Sequence, residues 1–372
     1  MWTNTNHDVV YNGHWFGQWL NLIDRGNGEI LDTITVGKAP THIVTIPNGP
    51  EQGILTLPLS AEDEILKIED ENGERLKTID HFQTGSGNNH PHGQWITADG
   101  SMILIPNVFQ GAGIAGSIDI LDSESGEIIK EFTTADDGNL LLPVAAAIGK
   151  VNGVNTGYVS NIGTGTVTVI DMDNVDPLTG EPDPIIINDI TVACFTASDG
   201  KCGATPDTGI VLETLKLPIQ TPLSPDGKYA VTAVFSLVSH LNPDTIAIID
   251  TEANGGTGEL VAELPCPAGC HGVNWGAKQG GGYYAYVTSQ HANVLTVVDP
   301  VIADIVAIVP LTNGGDNLTD GTGGQGILPL PLIKDGWIQN TVKACEVDET
   351  CDAEVAGWIS QLTYQQKNPS GS

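Results

Sequence analysis

Six times along the chain a short run of alternating apolar residues ends on an acid. The run reads Leu20-Asn21-Leu22-Ile23-Asp24, then Ile65-Leu66-Lys67-Ile68-Glu69-Asp70, then Ile118-Asp119-Ile120-Leu121-Asp122. It returns as Val167-Thr168-Val169-Ile170-Asp171, Ile246-Ala247-Ile248-Ile249-Asp250 and Leu295-Thr296-Val297-Val298-Asp299. Alternation with a period of two marks a strand that turns one face to a core. The closing acids fall at 24, 70, 122, 171, 250 and 299, so the steps are 46, 52, 49, 79 and 49 residues. A repeat of ~40–50 residues holding several short strands predicts an all-β fold, a β-propeller. The one long step places an insertion at about residues 172–207.

Each repeat divides into four strands, A to D from the axis outward. Strand B precedes the acid-terminated strand C, as in Met102-Ile103-Leu104-Ile105, and strand D follows a polar turn, as in Glu29-Ile30-Leu31-Asp32-Thr33-Ile34. Strand A meets B across Asp-Gly turns such as Ala98-Asp99-Gly100 and Pro225-Asp226-Gly227, a strong hairpin signal. Strands A are expected to begin near His42, His92, Leu141, Leu217, His271 and Gln325. On this reading the chain starts at a B strand, and an orphan A strand at Gly326-Ile327-Leu328-Pro329-Leu330 completes the first blade and closes the ring. That gives six four-stranded blades. Trp337-Ile338-Gln339-Asn340 resembles a surplus strand, which makes seven the alternative count. Residues 1–340 form the propeller on this division. Residues 341–372 form a short C-terminal helical tail, with Val355, Trp358, Ile359 and Leu362 on one face.

Charge narrows the function. The chain carries 46 acids against 14 bases, a formal net charge of −32. Such a surface repels phosphates and argues against a nucleic-acid partner. No apolar run approaches the ~20 residues that span a bilayer. The six cysteines fall in close pairs, Cys194/Cys202, Cys266/Cys270 and Cys345/Cys351, which suggests disulfides and a periplasmic or extracellular setting. No signal peptide precedes the first strand. Met1 reads as a start added to a mature chain, and Ser370-Gly371-Ser372 as an addition at the other end.

The histidines supply the candidate chemistry. Strands alternate in direction within a blade, so loops leading into A and loops joining B to C share one end of the ring. His42, His92 and His271 stand where A strands begin, His90 lies in the loop before His92, and His81 ends the preceding D strand. His14, His240 and His291 lie in B–C loops. Eight of the nine histidines therefore map to one face. Imidazole is the commonest metal ligand, and a site rich in His with no free thiolate favours copper over structural zinc. The expected metal set is His14, His42, His90, His92, His240, His271 and His291. Each taken alone could equally bond a neighbouring loop.

Tyr158-Val159-Ser160-Asn161, Tyr286-Val287-Thr288-Ser289 and Leu223-Ser224-Pro225-Asp226-Gly227 resemble the YVTN-repeat propellers, over about residues 8–340. The layout of histidines resembles the copper propellers, a group that includes the N-terminal domain of nitrous oxide reductase and thiocyanate dehydrogenase. That resemblance implies axis-facing ligands at His42, His92 and His271 and outer ones at His14, His240 and His291. No cupredoxin domain accompanies them, which argues against a self-contained nitrous oxide reductase.

Other constellations are weaker. Cys266-Pro267-Ala268-Gly269-Cys270-His271 could be a variant c-type haem attachment or part of a binuclear copper centre, but a small disulfide stiffening the loop of His271 fits the spacing better. Asp171, Asp173, Asp176 and Asp183 offer a calcium site without the Gly and final Glu of a calcium loop. There is no Gly-x-Ser-x-Gly nucleophile motif, and the glycines of residues 321–326 lead into a strand rather than a helix. Trp15, Trp19, Trp95 and Trp275 flank the histidines as pocket walls or as packing between blades. The expectation is an exported copper oxidoreductase acting on a small molecule or anion and passing electrons to a separate acceptor. The alternative is a non-catalytic propeller that stores metal or binds a partner.

Overall fold

Each blade takes four consecutive strands from the chain. In the computed structural model, which describes residues 1–84, 90–109, 115–193, 216–236, 243–311 and 326–370, six antiparallel sheets of four strands make a β-propeller. Blade 1 runs Trp2–Thr3, Val9–Gly13, Trp19–Asp24 and Ile30–Thr35. The inner strands of blades 2 to 6 are Val44–Thr45, Trp95–Ile96, Pro143–Val151, Lys216–Gln220 and Cys270–Ala277. B and C strands supply the core: Leu55, Ile103, Val159, Val231 and Val298 are fully buried.

The repeated acid has a local job. Asp24 Oδ1 accepts the amide hydrogens of Gly26 and Asn27, and Asp122 Oδ1 those of Glu124 and Ser125. Asp250 does the same for Glu252 and Ala253. An aspartate that bonds its own backbone two and three residues on turns the chain from C into D. Between A and B the turn glycine is required by space as well as by backbone. Gly227 has φ +70°, and a Cβ there would meet the Lys150 carbonyl of the preceding blade at 1.7 Å. Gly100 repeats the arrangement against Asn48, at 2.1 Å.

Two expectations fail at the ends of the chain. Blade 1 has its own inner strand, Trp2–Thr3, paired Trp2 to Tyr11 and Thr3 to Val10. Residues Gly326–Leu330 form no strand. Pro329 and Pro331 have no amide hydrogen to give to a ladder. The supposed surplus strand at Trp337 is the first turn of a helix, Trp337–Glu346, so the blades number six.

The C-terminal segment instead fills the seam between the last blade and the first. Asn274 of blade 6 donates to the Ile327 carbonyl at 3.1 Å, and the Leu332 amide donates to His7 of blade 1 at 2.8 Å. The Trp337 indole packs edge-on against Trp2 and Trp95 and donates to the Thr45 carbonyl at 2.9 Å. A second helix, Ala353–Gln361, is capped by Asp352, and Arg25 of blade 1 bridges Asp352 and Glu354 at 2.8 and 2.9 Å. Disulfides join Cys266 to Cys270 and Cys345 to Cys351, while the Cys194–Cys202 pair lies outside the described residues. No helix among the described residues is long and apolar enough to cross a membrane.

Candidate functional site

A cavity of about 830 Å³ opens on the axis at the end of the ring where the histidines were expected. The pairing of A with B decides which side chains reach it. Pro91 bridges Asn107, and Cys270 pairs with Ser289 at the matching place in blade 6. The next residues, His92 and His271, therefore occupy equivalent positions in blades that face each other across a six-membered ring. In blade 2 the bridge is Pro40 to Leu59, so Thr41 takes the equivalent position and His42 falls one residue further on. All three histidines line the cavity, as does His14 from the B–C loop of blade 1.

The surroundings fix these rings. His92 Nδ1 lies 2.8 Å from the Val144 carbonyl, which can only accept, so Nδ1 carries the hydrogen and Nε2 keeps a free lone pair. Burial first, offset in part by the Val144 bond, brings His92 down to about 4. His42 stands 5.4 Å from His92 between ring centres, and burial, then the repulsion of His92, holds it well below the ordinary histidine range. Both are neutral imidazoles at pH 7. Thr41 donates to the His92 carbonyl at 2.7 Å, and the buried Gln94 donates to the His42 carbonyl at 3.0 Å. His271 is held through its loop: Asp244 accepts the amides of Gly269 and Cys270 at 2.6 and 2.9 Å, and that of Ser236 at 2.9 Å. Asp244 is buried and stands outside the repeated phrase, so pattern alone did not pick it out.

The remaining expected ligands divide. His14 Nε2 already accepts from the Asn21 amide at 3.0 Å, with Asn12 at 3.4 Å. His90 sits edge-on to Phe109 and His291 packs by Phe235, and neither lines the cavity. His81 is an exposed residue of the outer strand Arg75–Gln83, with Glu64 3.9 Å away. His240 lies outside the described residues. The ninth, His7, is structural. Among the described residues no three His, Cys, Asp or Glu side chains are grouped closely enough to hold one ion.

That also bears on the alternatives. Cys266 and Cys270 are bonded to each other, so neither sulfur is left for a haem thioether. The acids of the proposed calcium loop have separate partners: Asp173 takes Asn155, Asp176 takes the Leu178 amide, and Asp183 takes Lys130. Trp15 and Trp19 wall the cavity, Trp15 lying 5.1 Å from His92. Trp275 is packing: it is buried and donates to the Pro222 carbonyl.

The fold and this axial cavity define a β-propeller with four histidines lining one axial mouth. No family model matches the chain, and no curated protein is similar to it. Solved propellers match in shape. Hydrazine synthase of Kuenenia stuttgartiensis is 15% identical, with 83% of this chain and 85% of that one covered and a TM-score of 0.56. Saccharomyces cerevisiae Sqt1 gives 8% identity, 83% and 72% coverage and 0.56. Dihydro-haem d1 dehydrogenase NirN, in complex with DHE, gives 14% identity, 86% and 68% coverage and 0.51. At these identities the likeness is one of fold.

Proposed function

We propose that the protein is an exported, copper-binding oxidoreductase that acts on a small molecule in the axial cavity. One observation carries the reading: His42, His92 and His271, from three blades, line a single cavity of substrate size. The donor chemistry fits copper. His42 and His92 are neutral and adjacent, and His92 is oriented by a backbone carbonyl on its other nitrogen, the usual device for setting a ligating imidazole. His271 faces the same cavity from the opposite blade. Copper bound there would supply one-electron exchange with the substrate, and a separate acceptor would take the electrons.

The chain's own residues do the rest. Thr41 and Gln94 hold the backbone of His92 and His42, Asp244 holds the loop of His271, and Trp15 covers His92 on the mouth side. Two disulfides support an oxidising compartment. A second reading, a propeller that binds metal without turnover, draws on the lack of a ready three-ligand group among the described residues. Copper reconstitution followed by elemental analysis and electron paramagnetic resonance separates these. The expected result is stoichiometric copper in the wild type and at least tenfold weaker binding in His92→Ala and His271→Ala. Copper held equally well by the double variant, or not held at all, ends the proposal. A tightly bound copper that cannot be cycled by reductant and oxidant favours storage.

A further inference from the structure

Among the described residues only Trp15, Phe16, Trp19 and Tyr364 are exposed aromatics. Three of those four sit together in blade 1, where the loop after Val9–Gly13 enters the strand Trp19–Asp24. Phe16 is 97% exposed, Trp19 44% and Trp15 40%. Aromatic surface held outward in one place marks a contact surface, because in water it gains nothing. The loop is preformed. The Gly17 amide donates to the His14 carbonyl at 2.8 Å, the His14 amide donates to the Trp19 carbonyl at 3.2 Å, and the His14 ring accepts from Asn21. A Cβ at Gly17 would meet both His14 and the Trp19 ring at 3.0 Å, so the turn is closed tightly over its own side chains. Such a surface needs little ordering when a partner lands on it.

Acids border the loop. The Val36 amide donates to the Gln18 carbonyl at 2.8 Å, and a Cβ on the next residue, Gly37, would stand 2.2 Å from the Glu62 carboxylate. The stretch Glu62-Asp63-Glu64 of blade 2 therefore lies beside the aromatic loop. Lys38 is the exposed base next to it, and the Met1 amino group, its pKa lowered by burial, lines the cavity. The molecule as a whole carries −32. A protein drawn to this mouth by its field is therefore a basic one. On the inner side Trp15 lies 5.1 Å from His92 and lines the cavity, so one indole separates the surface from the candidate site.

We infer that the loop of residues 14–19 docks a basic protein carrying an apolar patch, the separate electron acceptor of the function proposed above. The inference rests on that function and supplies its partner. Phe16 and Trp19 are the apolar anchors, aromatic side chains of the kind that dominate contact surfaces. The acids of blade 2 and the net charge guide the approach. Three side chains make a small contact, which suits a transient encounter rather than a permanent complex.

The test uses metal-free protein, so its outcome is independent of copper. Calorimetric titrations at low ionic strength use cytochrome c, a small basic haem protein, as the probe, with an acidic flavodoxin for comparison. The proteins titrated are the wild type, Phe16→Ser, Trp19→Ser, Glu62→Lys and Tyr364→Ser, the last removing the exposed aromatic outside the loop. Cytochrome c is expected to bind saturably and to weaken as salt is added, and the flavodoxin to bind at least tenfold more weakly. Phe16→Ser, Trp19→Ser and Glu62→Lys are expected to weaken cytochrome c at least fivefold, and Tyr364→Ser to leave it unchanged. Binding that is absent, equal for the two probes, or unchanged in Phe16→Ser and Trp19→Ser overturns the inference. Flotation with phosphatidylcholine vesicles that carries the wild type but not Phe16→Ser would assign the loop to a membrane and overturn it too. Copper binding without docking would sink this inference alone, and docking by a protein that holds no copper would sink the copper reading alone.

Discussion

Acidification should loosen the seam between blade 1 and the C-terminal segment through one buried imidazole. His7 is 1% exposed; its Nδ1 donates to the Thr5 carbonyl at 3.0 Å and its Nε2 accepts the Leu332 amide hydrogen at 2.8 Å. The second bond needs an unprotonated Nε2, so the neutral form is built into the fold. Burial is the main cause that lowers His7 from 6.5 to about 4, with Arg25 adding to it. A folded value below the unfolded one means that the unfolded chain binds the proton first. The stability tied to neutral His7 is therefore complete above about pH 6.5 and is lost as pH falls toward about 4. With ~1.4 kcal/mol for each pH unit, a gap of about 2.5 amounts to about 3 kcal/mol. Urea unfolding at pH 7.5, 5.5 and 4 would measure it in wild type and His7→Gln. Carboxylates and the other histidines titrate in both proteins, so the difference between the two curves isolates His7. The wild type should lose about 3 kcal/mol more than the variant over that range. Parallel curves would refute the reasoning.

Two further predictions concern positions the repeat does not name. Trp337→Ala removes a buried indole packed on Trp2 and Trp95 and should cost about 3–5 kcal/mol in denaturant unfolding; a loss below about 1 kcal/mol would mean the helix only rests on the ring. Asp244→Ala strips the acceptor from three amides at the root of the His271 loop. It should cost at least about 2 kcal/mol and also weaken copper binding, whereas Asp122→Ala, in a turn at the far end of blade 3, should leave copper binding alone.

What could be read in the sequence was what local geometry decides. The acid closing each C strand bonds amides two and three residues on, so one short phrase contains both the strand and its turn. Blade 1's inner strand could not be read because it is two residues long and shows no period. The apolar Gly326–Leu330 stretch took its place in the reading, although Pro329, with Pro331 just beyond, already argued against a ladder strand. Trp337–Asn340 is too short for period two and period 3.6 to be told apart. Only with Thr341 and Ala344 does one buried helical face emerge. At the cavity, topology placed the histidines at one end, but pairing register chose among them. His92 and His271 follow equivalent bridged positions, while the backbone of His90, at φ +52°, carries its ring to Phe109 instead.

Because the first and last blades are each complete, nothing in the strand order locks the ring. Closure falls to the segment after residue 326. It bonds blade 6 through Asn274 and blade 1 through His7, and ends in helices tied to blade 1 by Arg25. The same segment walls the axial cavity at Gly326 and Ile327, and lower down it carries Lys334, a buried amine 5.2 Å from the face of Trp95. Burial brings Lys334 down to about 7, so this amine beside Trp95 carries its charge only part of the time at neutral pH. Ring closure and the shape of the site are thus held by one stretch of chain. Loosening the seam should disturb ligand binding at the mouth before it unfolds the blades.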